Sequence, residues 1–109
     1  YTGSILVLDE TETPAEDITD EVNNEAEEHQ VFYQVSNDLN STLTYSDADA
    51  NGNPIGLAIQ LETGDASSGQ LTITLRHEPD KSASGVSAGD MTNAGGETDT
   101  EVTFDVSIQ

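Results

Sequence analysis

The chain has 109 residues, of which 22 are Asp or Glu and only two, Arg76 and Lys81, are basic, for a formal net charge of -20. A polyanion of this density is repelled by nucleic acid, heparin-like polymers and anionic membrane surfaces, which leaves cations and basic proteins as partners. Only 33% of the residues are apolar and none is cysteine, so residues 1–109 read as one small domain with a core of Val, Ile and Leu and no disulfide or thiolate–metal staple.

The sequence opens on a strand-like run, Ser4-Ile5-Leu6-Val7-Leu8. A start this close to a core strand predicts a processed or partial chain, with N-terminal strands and a tether upstream. Ten acids then crowd between Asp9 and Glu28, a density that repels itself unless salt or bound ions screen it. Within this stretch Thr13-Pro14-Ala15-Glu16 has the form of a capping box, and the pattern predicts a helix over 14–29. On such a helix Ile18, Val22, Ala26 and His29 fall within about 80° of one another, and Glu25 sits beside that stripe, one turn before His29.

Val31–Val35 reads as a strand, followed by a turn at Asn37-Asp38 and a short strand around Leu43–Tyr45. After a polar loop over 46–54, Ile55, Leu57, Ile59 and Leu61 alternate with small or polar residues. A Gly64-to-Gly69 turn leads into a second alternating run, Leu71, Ile73, Leu75 and His77, and the two runs read as a hairpin. Residues 78–100, rich in Ser, Gly, Asp and Asn, read as a long surface loop with at most one helical turn near Val86–Met91. The last strand puts Val102, Phe104, Val106 and Ile108 on one face. Six strands and one helix predict a mainly β fold, an antiparallel immunoglobulin-like β-sandwich with one inserted α-helix, about 14–29. No run approaches the roughly 18 apolar residues of a spanning helix, so this segment is not expected to insert into a membrane.

Three groups of residues carry chemistry. His29 and His77, the only histidines, both fall on apolar faces. If those faces meet, the two imidazoles with Glu25 or Glu28 make a set of nitrogen and oxygen donors that suits zinc. The alternative is that each ring is a boundary residue hydrogen-bonded to a backbone carbonyl. Asp47-Ala48-Asp49-Ala50-Asn51-Gly52 reproduces the opening of a calcium loop through Asp47, Asp49 and Asn51, but Ala58 stands at the twelfth position, where an EF-hand needs a bidentate Glu. An ordinary Asn-Gly turn explains the same residues. Gly89–Asp99 concentrates oxygen donors and glycines, and there too turn formation accounts for the composition. No GxSxG elbow or paired His–acid spacing supports nucleophilic catalysis, so no catalytic residues are assigned and a non-enzymatic role is expected.

The blocks Glu27-Glu28-His29-Gln30-Val31-Phe32-Tyr33, Leu75-Arg76-His77-Glu78-Pro79-Asp80-Lys81, Gly89–Asp99 and Val102–Val106 resemble a family of small secreted lipoproteins of Bacteroidota, often labelled type 1 periplasmic binding fold superfamily proteins. The resemblance implies a secreted protein held at the outer-membrane surface by a lipoprotein tether, serving beside a nutrient or metal receptor. It also places both histidines inside motif blocks. The expectation is a cell-surface or extracellular module that binds a divalent cation, zinc or calcium. The alternative is a structural subunit of an extracellular assembly, whose partners are other protein chains, either an outer-membrane receptor or further copies of itself.

Overall fold

A computed structural model describes residues 2–4, 8–9, 16–17 and 19–109. The protein is mainly β, built from two antiparallel three-stranded sheets with little helix. The first sheet orders β1 (Thr2–Ser4), β6 (Ala58–Thr63) and β5 (Ser41–Tyr45) as β1-β6-β5. The second orders β4 (His29–Val35), β7 (Ser67–His77) and β8 (Glu97–Ile108) as β4-β7-β8. A two-residue ladder joins β2 (Leu8–Asp9) to β3 (Glu16–Asp17).

The helix is far shorter than expected. Glu16 and Asp17 pair as strand with Asp9 and Leu8, and α1 covers only Thr19–Asn24. Thr13, Pro14 and Ala15 of the capping box lie outside the described residues, as does most of the expected first strand. Asn23 and Asn24 compete for backbone hydrogen bonds and favour helix ends, so α1 stops there. Glu25 forms a turn, a 3-10 turn follows at Ala26–Glu28, and His29 is already the first residue of β4.

The expected hairpin between residues 55–61 and 71–77 does not form. After β6 the chain passes through 64–66 into the other sheet, so β6 pairs with β1 and β5 while β7 pairs with β4 and β8. Gly69 does not serve a hairpin turn. It lies within β7, where a Cβ would stand 2.8 Å from the Cβ of Leu39, so the glycine admits the tight turn that follows β4.

β4 is the hub because both of its faces are covered. Val31 packs with Val22 of α1 and Leu75 of β7, flanked by Tyr33, Leu57 and Ile73. On the opposite face Phe32 packs with Val86 and Ala94, flanked by Ala83 and Met91. Burial of Phe32 alone is worth roughly 1.5–3 kcal/mol. The 78–96 segment, read from sequence as surface loop, is therefore the cover of a second core. It is tied down by Gln30 Nε2 donating to Val86 O at 2.8 Å and by Arg76 Nη1 donating to Gly95 O at 2.8 Å. Its Ser, Gly and Asp residues supply the bends that let four separated apolar side chains reach the Phe32 cluster. Asp80 and Asp90 each accept from the backbone N–H and hydroxyl of the residue two ahead, Ser82 and Thr92, and those bonds hold both carboxyls below the usual range. β8 begins at Glu97, earlier than the expected final strand.

The free edge of β4 carries Pro54–Leu57. Val31 N–H donates to Ile55 O at 2.7 Å, Tyr33 Oη to Gly56 O at 2.6 Å and Tyr45 Oη to Val31 O at 2.7 Å. Burial pushes both phenols up, with Asp47 adding to the effect in each and the Gln30 hydrogen bond partly offsetting it at Tyr45. Gly56 has φ +97°, and a Cβ there would stand 2.7 Å from Val31 O and 2.8 Å from Val31 Cβ. Gly56→Ala is expected to cost on the order of 3 kcal/mol through strain and crowding, read as a lower urea midpoint with an unchanged slope.

Candidate metal centre

His29 and His77 are cross-strand partners. The β4–β7 ladder sets His29 opposite His77, Val31 opposite Leu75 and Tyr33 opposite Ile73, so these residues share one face. The two imidazoles stack with centroids 4.9 Å apart and an interplanar angle of 15°. The meeting that the sequence left open is thus made by strand register, not by a helix packing on a sheet.

His29 Nδ1 lies 3.1 Å from Glu25 O. A carbonyl can only accept, so Nδ1 carries the proton and the lone pair sits on Nε2. A fixed tautomer of this kind orients histidines that bind metal, and it also satisfies a merely structural one; the expected backbone-bonded histidine and the expected ligand are here the same residue. His29 is buried and His77 half-buried. Glu25 is exposed, and one oxygen of its carboxylate together with one ring nitrogen from each histidine form a group whose ligand atoms all lie within 4.8 Å of one another. The Glu25 side of this group borders an open polar depression of about 600 Å³, lined also by Glu27, Glu28, Ala48 and Ala50, which gives an ion a path from solvent. Glu28 is not a member of the group; its carbonyl accepts the Glu78 N–H at 2.6 Å.

The backbone is tight beside the imidazoles. Among the described residues Glu78 is the one non-glycine with positive φ, 53°, and its Oε1 lies 4.0 Å from His77 Nε2. Gly96, at φ +71°, lets β8 approach so closely that a Cβ would stand 2.8 Å from Glu78 O. A non-glycine held at positive φ, as Glu78 is, costs about 1–3 kcal/mol, and such positions cluster at functional sites.

The Asp47–Asn51 residues are arranged otherwise than a calcium turn requires. Asp47 Oδ1 accepts from Gly56 N–H, and Oδ2 accepts from Leu57 and Ala58 N–H, at 2.7 to 3.1 Å. Asp49 Oδ1 accepts from Asn51 and Asn53 N–H. Asp49 Oδ2 receives the Lys81 ammonium at 2.8 Å, with side-chain exposures of 5% for Lys81 and 1% for Asp49. Lys81 Nζ also donates to Ala26 O at 2.7 Å and Pro54 O at 3.0 Å. Burial pushes the Asp49 carboxyl up, but the Lys81 hydrogen bond, the Asn53 and Asn51 N–H groups and the ammonium charge together hold it below the usual carboxylate range. The lysine occupies the cation position of this loop, and the Asn51 side chain takes no part in it among these bonds. Sequence reasoning overlooked Lys81 because nothing local links it to a carboxylate 32 residues earlier. Compared with family models, curated proteins and solved structures, the chain matches none.

Proposed function

We propose that the protein is a non-enzymatic module that binds a divalent cation of the zinc class through His29, His77 and Glu25, at a cell surface or in the extracellular space. The observation that carries this reading is the in-register stacking of the only two histidines, with the Glu25 carboxylate in reach of both. Two imidazoles and a carboxylate suit zinc, and the excess of acids raises the local cation concentration without selecting among cations. Calcium through Asp47 and Asp49 is the weaker reading, because Lys81 already neutralises Asp49. A titration of zinc into chelator-treated protein is expected to give one site per chain. His29→Ala and His77→Ala should each lower its affinity at least about tenfold. Unchanged zinc affinity in either variant would sink the reading.

A second reading, a structural subunit that pairs with another chain, is favoured by one feature. Val102 and Phe104 on β8 are 44% and 49% exposed, and among the described residues β8 pairs with β7 alone.

A further inference from the structure

Asp99 sits at an irregularity of the second sheet. The β7–β8 ladder sets Leu75 opposite Thr100 but Arg76 opposite Thr98, so Asp99 is an extra residue on β8 with no partner on β7. An unbroken ladder would have set Asp99 opposite Arg76, on the face away from the imidazoles, as a cross-strand pair of opposite charges. The bulge forgoes that pair. Arg76 turns to Gly95 O and to Met91 Sδ, and Asp99 Oδ2 comes to 3.7 Å from His29 Nε2.

That separation is informative. It is too long for a hydrogen bond between imidazole and carboxylate, for which 2.7–2.9 Å is typical when charge assists. Two donors on one tetrahedral zinc, each about 2.0–2.2 Å from the ion, stand roughly 3.3–3.6 Å apart. His29 Nε2 is the nitrogen that the Glu25 carbonyl leaves with its lone pair, so the atom facing Asp99 is the one able to ligate.

We infer that Asp99 is a fourth metal ligand, which the β8 bulge delivers to the ion held by Glu25, His29 and His77. This rests on the proposed zinc site and deepens it. Asp99 lies outside the three-residue group and approaches it at His29, and its side chain, 41% exposed, has room to rotate onto an ion. The consequence concerns the kind of site. Three protein ligands leave a coordination position for water, as hydrolytic zinc centres do, whereas a carboxylate as fourth ligand closes the sphere and makes the ion a clasp joining the Glu25 turn, β4, β7 and β8.

The test compares wild type, Asp99→Asn and Glu101→Gln by zinc titration, with cobalt(II) as a spectroscopic probe. Glu101 is an acid two residues along β8 whose Oε2 accepts from Thr74 Oγ1, so its variant removes one charge nearby without touching the histidines. Asp99→Asn is expected to lower zinc affinity at least about tenfold and to weaken the strong visible bands of four-coordinate cobalt, while Glu101→Gln stays within about twofold. Equal affinities and equal cobalt spectra in Asp99→Asn and Glu101→Gln would overturn the fourth ligand while leaving the three-ligand site standing. Absence of zinc binding by wild type would overturn both.

Discussion

Replacing Lys81 with Met is expected to destabilise the protein by about 3–5 kcal/mol, the cost of stranding one partner of a buried ion pair. The Lys81 ammonium is held by one carboxylate and two carbonyls, and both Lys81 and Asp49 side chains are almost fully buried. Methionine fills the volume but leaves Asp49 a buried anion facing two carbonyl oxygens. A domain of this size has about 5–15 kcal/mol of stability in all, so the variant should lose a large fraction of that stability. The double variant Lys81→Met with Asp49→Asn should recover some of the loss, because the charge has gone and one Asn oxygen can still accept from Asn51 and Asn53 N–H. The pH dependence has a definite sign. Asp49 has a folded-state value below its unfolded one, so its contribution is fully present above about pH 3.9 and is lost as pH falls through the lower folded value. The gap between wild type and Lys81→Met should therefore narrow in acid. Urea melts at pH 7 and pH 3 measure it, and a loss below about 1 kcal/mol at pH 7 would show that the pair carries no special weight.

Zinc is expected to raise the melting temperature and EDTA to reverse the rise. An ion that binds only the folded chain stabilises it by about 4 kcal/mol at a thousandfold excess over Kd. At roughly 4 °C per kcal/mol for a domain of this length, the shift is on the order of 15 °C. Calcium at the same concentration should shift it little, since the Asp47 and Asp49 carboxylate oxygens are engaged by backbone N–H groups and Lys81. A scanning-calorimetry series with zinc, calcium and EDTA decides the matter. A calcium shift larger than the zinc shift would move the ion from the histidines to the acidic loops.

Much of the second sheet was legible in the sequence, because alternation reports which residues share a face. His77 was placed with Leu71, Ile73 and Leu75, and β7 has them so. The helical reason for putting His29 on an apolar stripe fails, yet it is buried all the same, since as the first residue of β4 it shares with Val31 and Leu75 the face that Val22 of α1 packs against. Residues 14–29 misled because Glu is a good helix former and the capping signal was strong, while the competing strand pairing of Glu16 and Asp17 depends on a partner segment that local pattern does not reveal. The sheet switch between β6 and β7 was invisible for a similar reason. Two alternating runs joined by glycines read as a hairpin whether they pair with each other or with strands elsewhere. In the 78–96 cover, Val86 and Ala94 are spaced irregularly because bends, not a repeating element, bring them to Phe32. Asp99 could have been found only from the bulge, a property of two strands together.

The four candidate ligands come from residues 25, 29, 77 and 99, and the two histidines are brought together only by the β4–β7 ladder, with the whole β5–β6 hairpin intervening along the chain. The unfolded chain thus offers an ion only the Glu25–His29 pair as near neighbours, with His77 and Asp99 far along the sequence. On the proposed site, capture waits on the closing of that long loop, so zinc is expected to change the rate of folding little. On the proposed zinc site its effect would fall on escape from the native state: a loaded molecule is expected to open more slowly, and its lifetime against proteases to lengthen with the free zinc concentration.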